Sequence, residues 1–150
     1  MLDYTITRTD NPTSAEELSE ILANPGFGKH FTDHMVTIDW TEDKGWHNAA
    51  VVPYAPISLD PVASVLHYGQ AIFEGLKAYR TKDGSIQLFR PDENAKRLQR
   101  TADRLLMPQV PTDMFVEACK AVVRANEEYV PPYGTGGTLY LRPLLIGVGD

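Results

Sequence analysis

Polar and apolar positions alternate most cleanly over AIFEGLKAYR, residues 71–80. In a strand, successive side chains point to opposite faces. Ile72, Glu74, Leu76 and Ala78 therefore share one side, and Phe73, Gly75, Lys77 and Tyr79 the other. SIQLF (85–89) follows after Thr81-Lys82-Asp83-Gly84, and Asp-Gly between two such runs signals a hairpin. The period then lengthens. Ala95, Leu98, Ala102 and Leu105 recur at helical spacing, which predicts a helix over 91–106. Phe115, Ala118, Cys119, Val122 and Val123 give a second helix its core face, with Thr112 or Asp113 as cap. Near the start, Leu18, Ile21 and Leu22 form a shorter apolar stripe. It lies behind Thr13 and Ser14, either of which can make a capping box with Glu16 or Glu17. Asn24-Pro25-Gly26 ends that helix.

Met35 to Ile38 reads as a strand ending around Trp40 to Lys44. GWHNAAVVPYAPISL, punctuated by Pro53 and Pro56, reads as irregular or extended chain. Asp60-Pro61 predicts a short helix ending near Tyr68-Gly69, with Asp60 as N-cap and Pro61 in the first turn. PPYGTGG is a loop, and TLYLRPLLIGV a final strand. Helices thus interleave with strands, at least two of them antiparallel. The expected fold is α+β, a small domain with a mixed, mostly antiparallel sheet and packed helices.

Composition narrows the function. Hydrophobic residues make up 43% and charged residues 23% of the chain, ordinary for a globular domain. A net charge of −6 argues against nucleic-acid binding, which asks for a basic face. No apolar run approaches a membrane span, and MLDYTITRTDNP carries no secretory signal. The single cysteine, Cys119, cannot form an internal disulfide, so a cytoplasmic setting is the default. Its place on a helical apolar face makes it a buried thiol rather than a nucleophile. His30 and His34 stand four apart in strand or loop sequence without a third ligand, so no metal site is assigned. Gly26-Phe27-Gly28-Lys29 lacks the spacing and the Ser/Thr of a phosphate-binding P-loop.

Several residues are suited to anion or apolar binding. Arg97 lies early in its helix beside Asn94. Arginine offers a permanently charged, bidentate fork to phosphate, although periodicity alone makes Arg97 a solvated surface charge. Tyr140 and Arg142, two apart on a strand, share a face. An arginine beside a tyrosine can hold a carboxylate, or simply form a cross-strand pair. Phe73 and Tyr68 can wall an apolar pocket, with core packing as the plainer reading of Phe73. Gly75 in a strand marks a close approach of ligand or backbone. Lys77 is read as snorkelling or cross-strand paired, not as a Schiff-base lysine.

The strings HYGQAIFEGLKAYR (67–80), LFRPDENAKRL (88–98) and LYLRP (139–143) resemble the first half of the branched-chain aminotransferases. These are pyridoxal-phosphate enzymes of fold type IV, the D-alanine-aminotransferase-like fold. FTDHM and GWHNA are also family-like. The resemblance implies that Arg97 binds the cofactor phosphate. It also implies that Phe73, Gly75, Tyr140 and Arg142, with Phe27 as a looser match, contribute to the substrate pocket. Tyr68 would serve the neighbouring subunit of a homodimer, and Arg142 would meet the distal carboxylate of glutamate. The implied substrates are amino acids and 2-oxo acids: leucine, isoleucine or valine with 2-oxoglutarate. Residues 1–150 would be the N-terminal small domain, truncated. The family's cofactor lysine lies beyond residue 150, and none of the six lysines here matches its surroundings. The segment alone is then expected to be inactive. The contrasting expectation is a non-catalytic dimerisation or binding module.

Overall fold

The computed structural model describes residues 1–149. Its order is strand β1 (Thr5–Ile6), helix α1 (Ala15–Ala23), strands β2 (His34–Thr41) and β3 (Gly45–Pro53), helix α2 (Ser64–Tyr68), and strands β4 (Ala71–Phe73), β5 (Leu76–Arg80) and β6 (Ile86–Leu88). Helices α3 (Pro91–Arg104) and α4 (Thr112–Ala125), a 3-10 turn (Glu127–Tyr129), and strands β7 (Leu139–Leu141) and β8 (Leu144–Ile146) complete it. Three small sheets result, ordered β1-β3-β2, β4-β8 and β6-β5-β7. Among the described residues, only the β1–β3 pairing is parallel. The α+β, mostly antiparallel reading therefore holds. No described helix is long and apolar enough to cross a membrane.

Helices α3 and α4 pack together over the β5 sheet. Between them lie Ile72, Leu76, Ala78, Leu98, Phe115, Cys119, Val123 and Leu141. Burying each large apolar side chain contributes about 1.5–3 kcal/mol. Burial also pushes the Cys119 thiol up to about 12, which leaves it protonated and inert at neutral pH.

A second tie joins the N-terminal sheet to α4. Asn126 is fully buried. Its Oδ1 accepts from the His34 backbone N–H at 3.0 Å, and its Nδ2 donates to the carbonyls of His34 at 3.0 Å and Val122 at 2.8 Å. Nearby, the Tyr129 hydroxyl donates to Thr13 Oγ1 at 2.7 Å, and Thr13 donates to Asp33 Oδ1 at 2.6 Å.

Five local expectations change. GWHNAAVVP is a regular strand, β3, paired along β2 through a turn at Gly45 with φ 64°; Pro53 sits at its end. Asp60 and Pro61 form a turn, with Asp60 accepting from Val62 N–H at 3.1 Å, and α2 begins only at Ser64. Pro111, not Thr112 or Asp113, occupies the N-cap of α4, without a side-chain cap bond. Leu105 follows the end of α3 and is exposed. The strands expected over 71–80 and 138–148 each break in two. The first cap is as expected, with Ser14 accepting from Glu17 N–H at 3.2 Å.

The two breaks face each other. Phe73 pairs with Leu144 and Leu76 with Leu141, so Glu74-Gly75 lies opposite Arg142-Pro143. Glu74 N–H still donates to Pro143 O at 2.9 Å. Both breaks thus project charged side chains from a fixed backbone.

Candidate functional site

Alternation along β4–β5 sends Ile72, Glu74, Leu76 and Ala78 inward and leaves Phe73 and Lys77 exposed. Glu74 is thereby an acid on the buried face, with a side chain 2% exposed. A buried carboxylate must be paired and hydrogen-bonded. Helix α3 supplies both needs. Arg97 Nε donates to Glu74 Oε1 at 2.8 Å and Nη2 to Oε2 at 2.7 Å. Asn94 Nδ2 donates to Oε2 at 3.1 Å and to Gly75 O at 3.2 Å. Burial alone would raise the Glu74 pKa, but the bonds from Arg97 and Asn94 and the charge of Arg97 outweigh it, and the carboxyl stays below its ordinary value. Glu74 is therefore ionised at neutral pH. The Arg97 side chain is 60% exposed, and Nη1 makes no protein bond among the described residues.

Across the break, Arg142 lies over the Phe73 ring, 4.5 Å from its centroid, and its Nη2 donates to the Tyr140 hydroxyl at 3.1 Å. Phe27 meets Tyr140 edge-on, with centroids 5.1 Å apart at 73°. Among the described residues Arg142 has no carboxylate partner. A cleft of about 330 Å³ adjoins this group, lined by Gly75, Lys77, Tyr79, Phe89, Asn94 and Tyr140.

Gly75 joins the two halves of the site. A Cβ there would overlap the Tyr140 hydroxyl and stand 2.8 Å from Cζ. The close approach at this glycine is thus made by the chain's own tyrosine. Since the overlapping atom is the tip of a partly exposed ring, Gly75→Ala is expected to swing Tyr140 aside rather than unfold the protein. The Arg142–Tyr140 bond goes with it. In the aminotransferase that the sequence resemblance implies, KM for a dicarboxylic amino donor should rise about tenfold, the worth of a hydrogen bond to a charged group, with the melting temperature nearly unchanged. An unaltered KM would show that Tyr140 does not hold Arg142.

The structure brings Phe27, Phe73, Gly75, Tyr140 and Arg142 together and sets Arg97 beside them through Asn94 and Gly75. It does not bring Tyr68 to them: that residue is 86% exposed, with the His67 ring 6.3 Å away.

No protein-family profile matches the chain, but individual relatives do. The "Branched-chain-amino-acid aminotransferase" of Mycolicibacterium smegmatis is 56% identical over 145 residues, 97% of this chain and 39% of that protein. The "Probable branched-chain-amino-acid aminotransferase" of Streptomyces coelicolor is 59% identical over 136 residues, 91% of this chain and 38% of that protein. By sequence, the chain is similar to the branched-chain-amino-acid aminotransferases. It matches their N-terminal part and spans under two fifths of those relatives' length. Among solved structures, the T.th. branched-chain amino acid aminotransferase complexed with N-(5'-phosphopyridoxyl)-L-glutamate superposes with a TM-score of 0.60 at 28% identity. That match covers 81% of this chain and 35% of the other. The Escherichia coli branched-chain amino acid aminotransferase gives 0.53 at 31% identity, covering 67% and 31%. The aminotransferase resemblance read from HYGQAIFEGLKAYR is thus borne out at the level of the family.

Two members of this cluster, Glu74 and Asn94, were given no binding role by the sequence reading, although both lie within the quoted strings and Asn94 was noted beside Arg97. Glu74 did leave a trace: an acid on the buried face of an alternating strand needs a cation, and Arg97 is that cation.

Proposed function

We propose that this chain forms the phosphate-binding and side-chain-binding part of a pyridoxal-phosphate-dependent branched-chain-amino-acid aminotransferase. The enzyme would exchange amino groups between leucine, isoleucine or valine and 2-oxoglutarate, and would work as a cytoplasmic homodimer. One observation carries the reading: Arg142 is framed by Phe73 and Tyr140 and has no described carboxylate partner. A pocket for both leucine and glutamate needs an apolar wall with a cation that a carboxylate can claim. Phe27, Phe73 and Tyr140 supply the wall and Arg142 the cation. The relatives' names and the ligand of the T.th. structure support the same chemistry.

Arg97 fits a phosphate. Its fork is anchored on one edge, and the Nη1 edge remains available beside Asn94. Pyridoxal phosphate, when bound, supplies the electron sink for the exchange. This chain's residues grip the phosphate, exclude water from the substrate side chain and select it. None of the six lysines is assigned to the cofactor. Lys96 is held by Glu93 at 2.8 Å and Lys120 by Glu117 at 3.2 Å, and Lys77 is a wall of the cleft.

The complete enzyme is expected to turn over leucine with 2-oxoglutarate, and failure to do so would refute the reading. Residues 1–150 alone, mixed with pyridoxal phosphate, are expected to show neither turnover nor a visible band that survives dialysis and vanishes with borohydride. Such a band would move the cofactor lysine into this segment.

A further inference from the structure

We propose that Glu74 is a positioning residue for the cofactor phosphate: it clamps Arg97 so that the guanidinium presents a single fixed edge to the anion. The inference rests on the reading of Arg97 as the phosphate arginine.

Arginine has five N–H donors. Two of them, on Nε and Nη2, are engaged by the two Glu74 oxygens at 2.8 and 2.7 Å. This parallel fork fixes the plane of the guanidinium as well as its position. Of the three remaining donors, one on Nη1 and one on Nη2 form the outer edge of the fork, directed away from Glu74. Glu74 itself cannot drift. Its side chain is 2% exposed, Asn94 holds Oε2 at 3.1 Å, and its backbone N–H is tied to Pro143 O at 2.9 Å. A chain of fixed contacts therefore runs from the strand break, through a buried carboxylate, to an arginine whose own side chain is largely in solvent.

Two effects of Glu74 oppose each other. Its negative charge repels a phosphate dianion and lowers the pull of Arg97. Its fork removes the rotamer freedom that a long exposed arginine would lose on binding. Solvent around Arg97 screens the first effect, and the second needs no low dielectric. Orientation therefore wins, and removing the carboxylate weakens phosphate binding even though it makes the site more positive.

The test is a double-mutant cycle on the complete enzyme, reading the Kd of pyridoxamine 5'-phosphate by fluorescence titration, with circular dichroism to confirm folding. Glu74→Gln keeps the size of the side chain and removes its charge. It is expected to raise Kd about tenfold in the wild-type background and to have almost no effect in an Arg97→Ala background, because coupled residues are non-additive. A purely structural role for Glu74 would give the same loss in both backgrounds and overturn the proposal. So would an unchanged or lower Kd in Glu74→Gln alone. If Arg97→Ala leaves Kd unchanged, it is the phosphate-arginine reading that fails. Should Glu74→Gln not fold, Asn94→Ala leaves the ion pair but frees one Glu74 oxygen. A rise of about two- to threefold that disappears with Arg97→Ala supports the clamp, and no rise, or one that persists without Arg97, refutes it.

Discussion

Asn126→Ala is expected to lower stability by about 3–5 kcal/mol, with no direct effect on the substrate site. The side chain is 0% exposed and satisfies three backbone groups, His34 N–H, His34 C=O and Val122 C=O. Each buried polar group left without a partner costs about 1–3 kcal/mol. The His34 N–H lies at the start of β2 and has no water-facing alternative, because His34 is itself buried, whereas the His34 carbonyl keeps a bond from the Thr32 hydroxyl at 3.0 Å. Truncation also opens a small void between α4 and the N-terminal sheet. The midpoint shift per kcal/mol falls as chain length rises, and the matched relatives are more than twice as long as this chain, so a fall of about 4–6 °C should appear in thermal unfolding of the complete enzyme. Asn126→Asp should not rescue it. The carboxylate can accept from His34 N–H, but it cannot donate to the two carbonyls and places a charge against them. A variant within about 2 °C of wild type would mean that β2 is held by its pairing with β3 alone.

This tie also shows what could be read from the chain and what could not. The inward set Ile72, Glu74, Leu76 and Ala78 was legible because strand alternation is local, and so was the Ala95-Leu98-Ala102 stripe of α3. Strand β3 was not. Trp46, His47 and Asn48 interrupt its alternation, and its regularity comes from pairing with β2, which no short window contains. Asn126 stood outside every expectation, because its partner His34 lies 92 residues away. The breaks at Glu74-Gly75 and Arg142-Pro143 were invisible for the same reason. Each looks like continuous strand until the other is placed opposite it.

The site divides along the same line. Arg97, Tyr140, Arg142, Phe73 and Phe27 were nameable because their strings resemble a family. Their mutual geometry was not, and it changed the picture at two positions. Gly75 proves to accommodate Tyr140, and Arg97 proves to be one half of an ion pair rather than a free surface cation.

If the segment serves the proposed aminotransferase, Arg142→Ala should separate its two kinds of substrate, glutamate and leucine. The guanidinium rests on the Phe73 ring at 4.5 Å and is steadied by the Tyr140 hydroxyl at 3.1 Å, and no described carboxylate neutralises it. A glutamate side chain reaching this point gains a charge-assisted hydrogen bond, and losing such a bond costs about 1.5–3 kcal/mol, or roughly 10- to 150-fold in kcat/KM. Leucine has no charge to offer and meets Phe73 and Phe27 instead, so its kcat/KM should stay within about threefold, the change expected when only the packing at the rim of an apolar wall is altered. Arg142→Lys should fall between wild type and alanine for glutamate. Lysine keeps the charge but loses the planar fork that lies on Phe73 and reaches Tyr140. The measurement is kcat/KM for both amino donors in the complete enzyme, at low and at high salt. If the carboxylate contact is solvent-facing, the wild-type kcat/KM for glutamate should fall relative to that for leucine as salt screens it, and the alanine variant should lose this salt dependence. Equal losses for leucine and glutamate would assign Arg142 to the framework of the cleft and leave the recognition of the dicarboxylate to residues elsewhere.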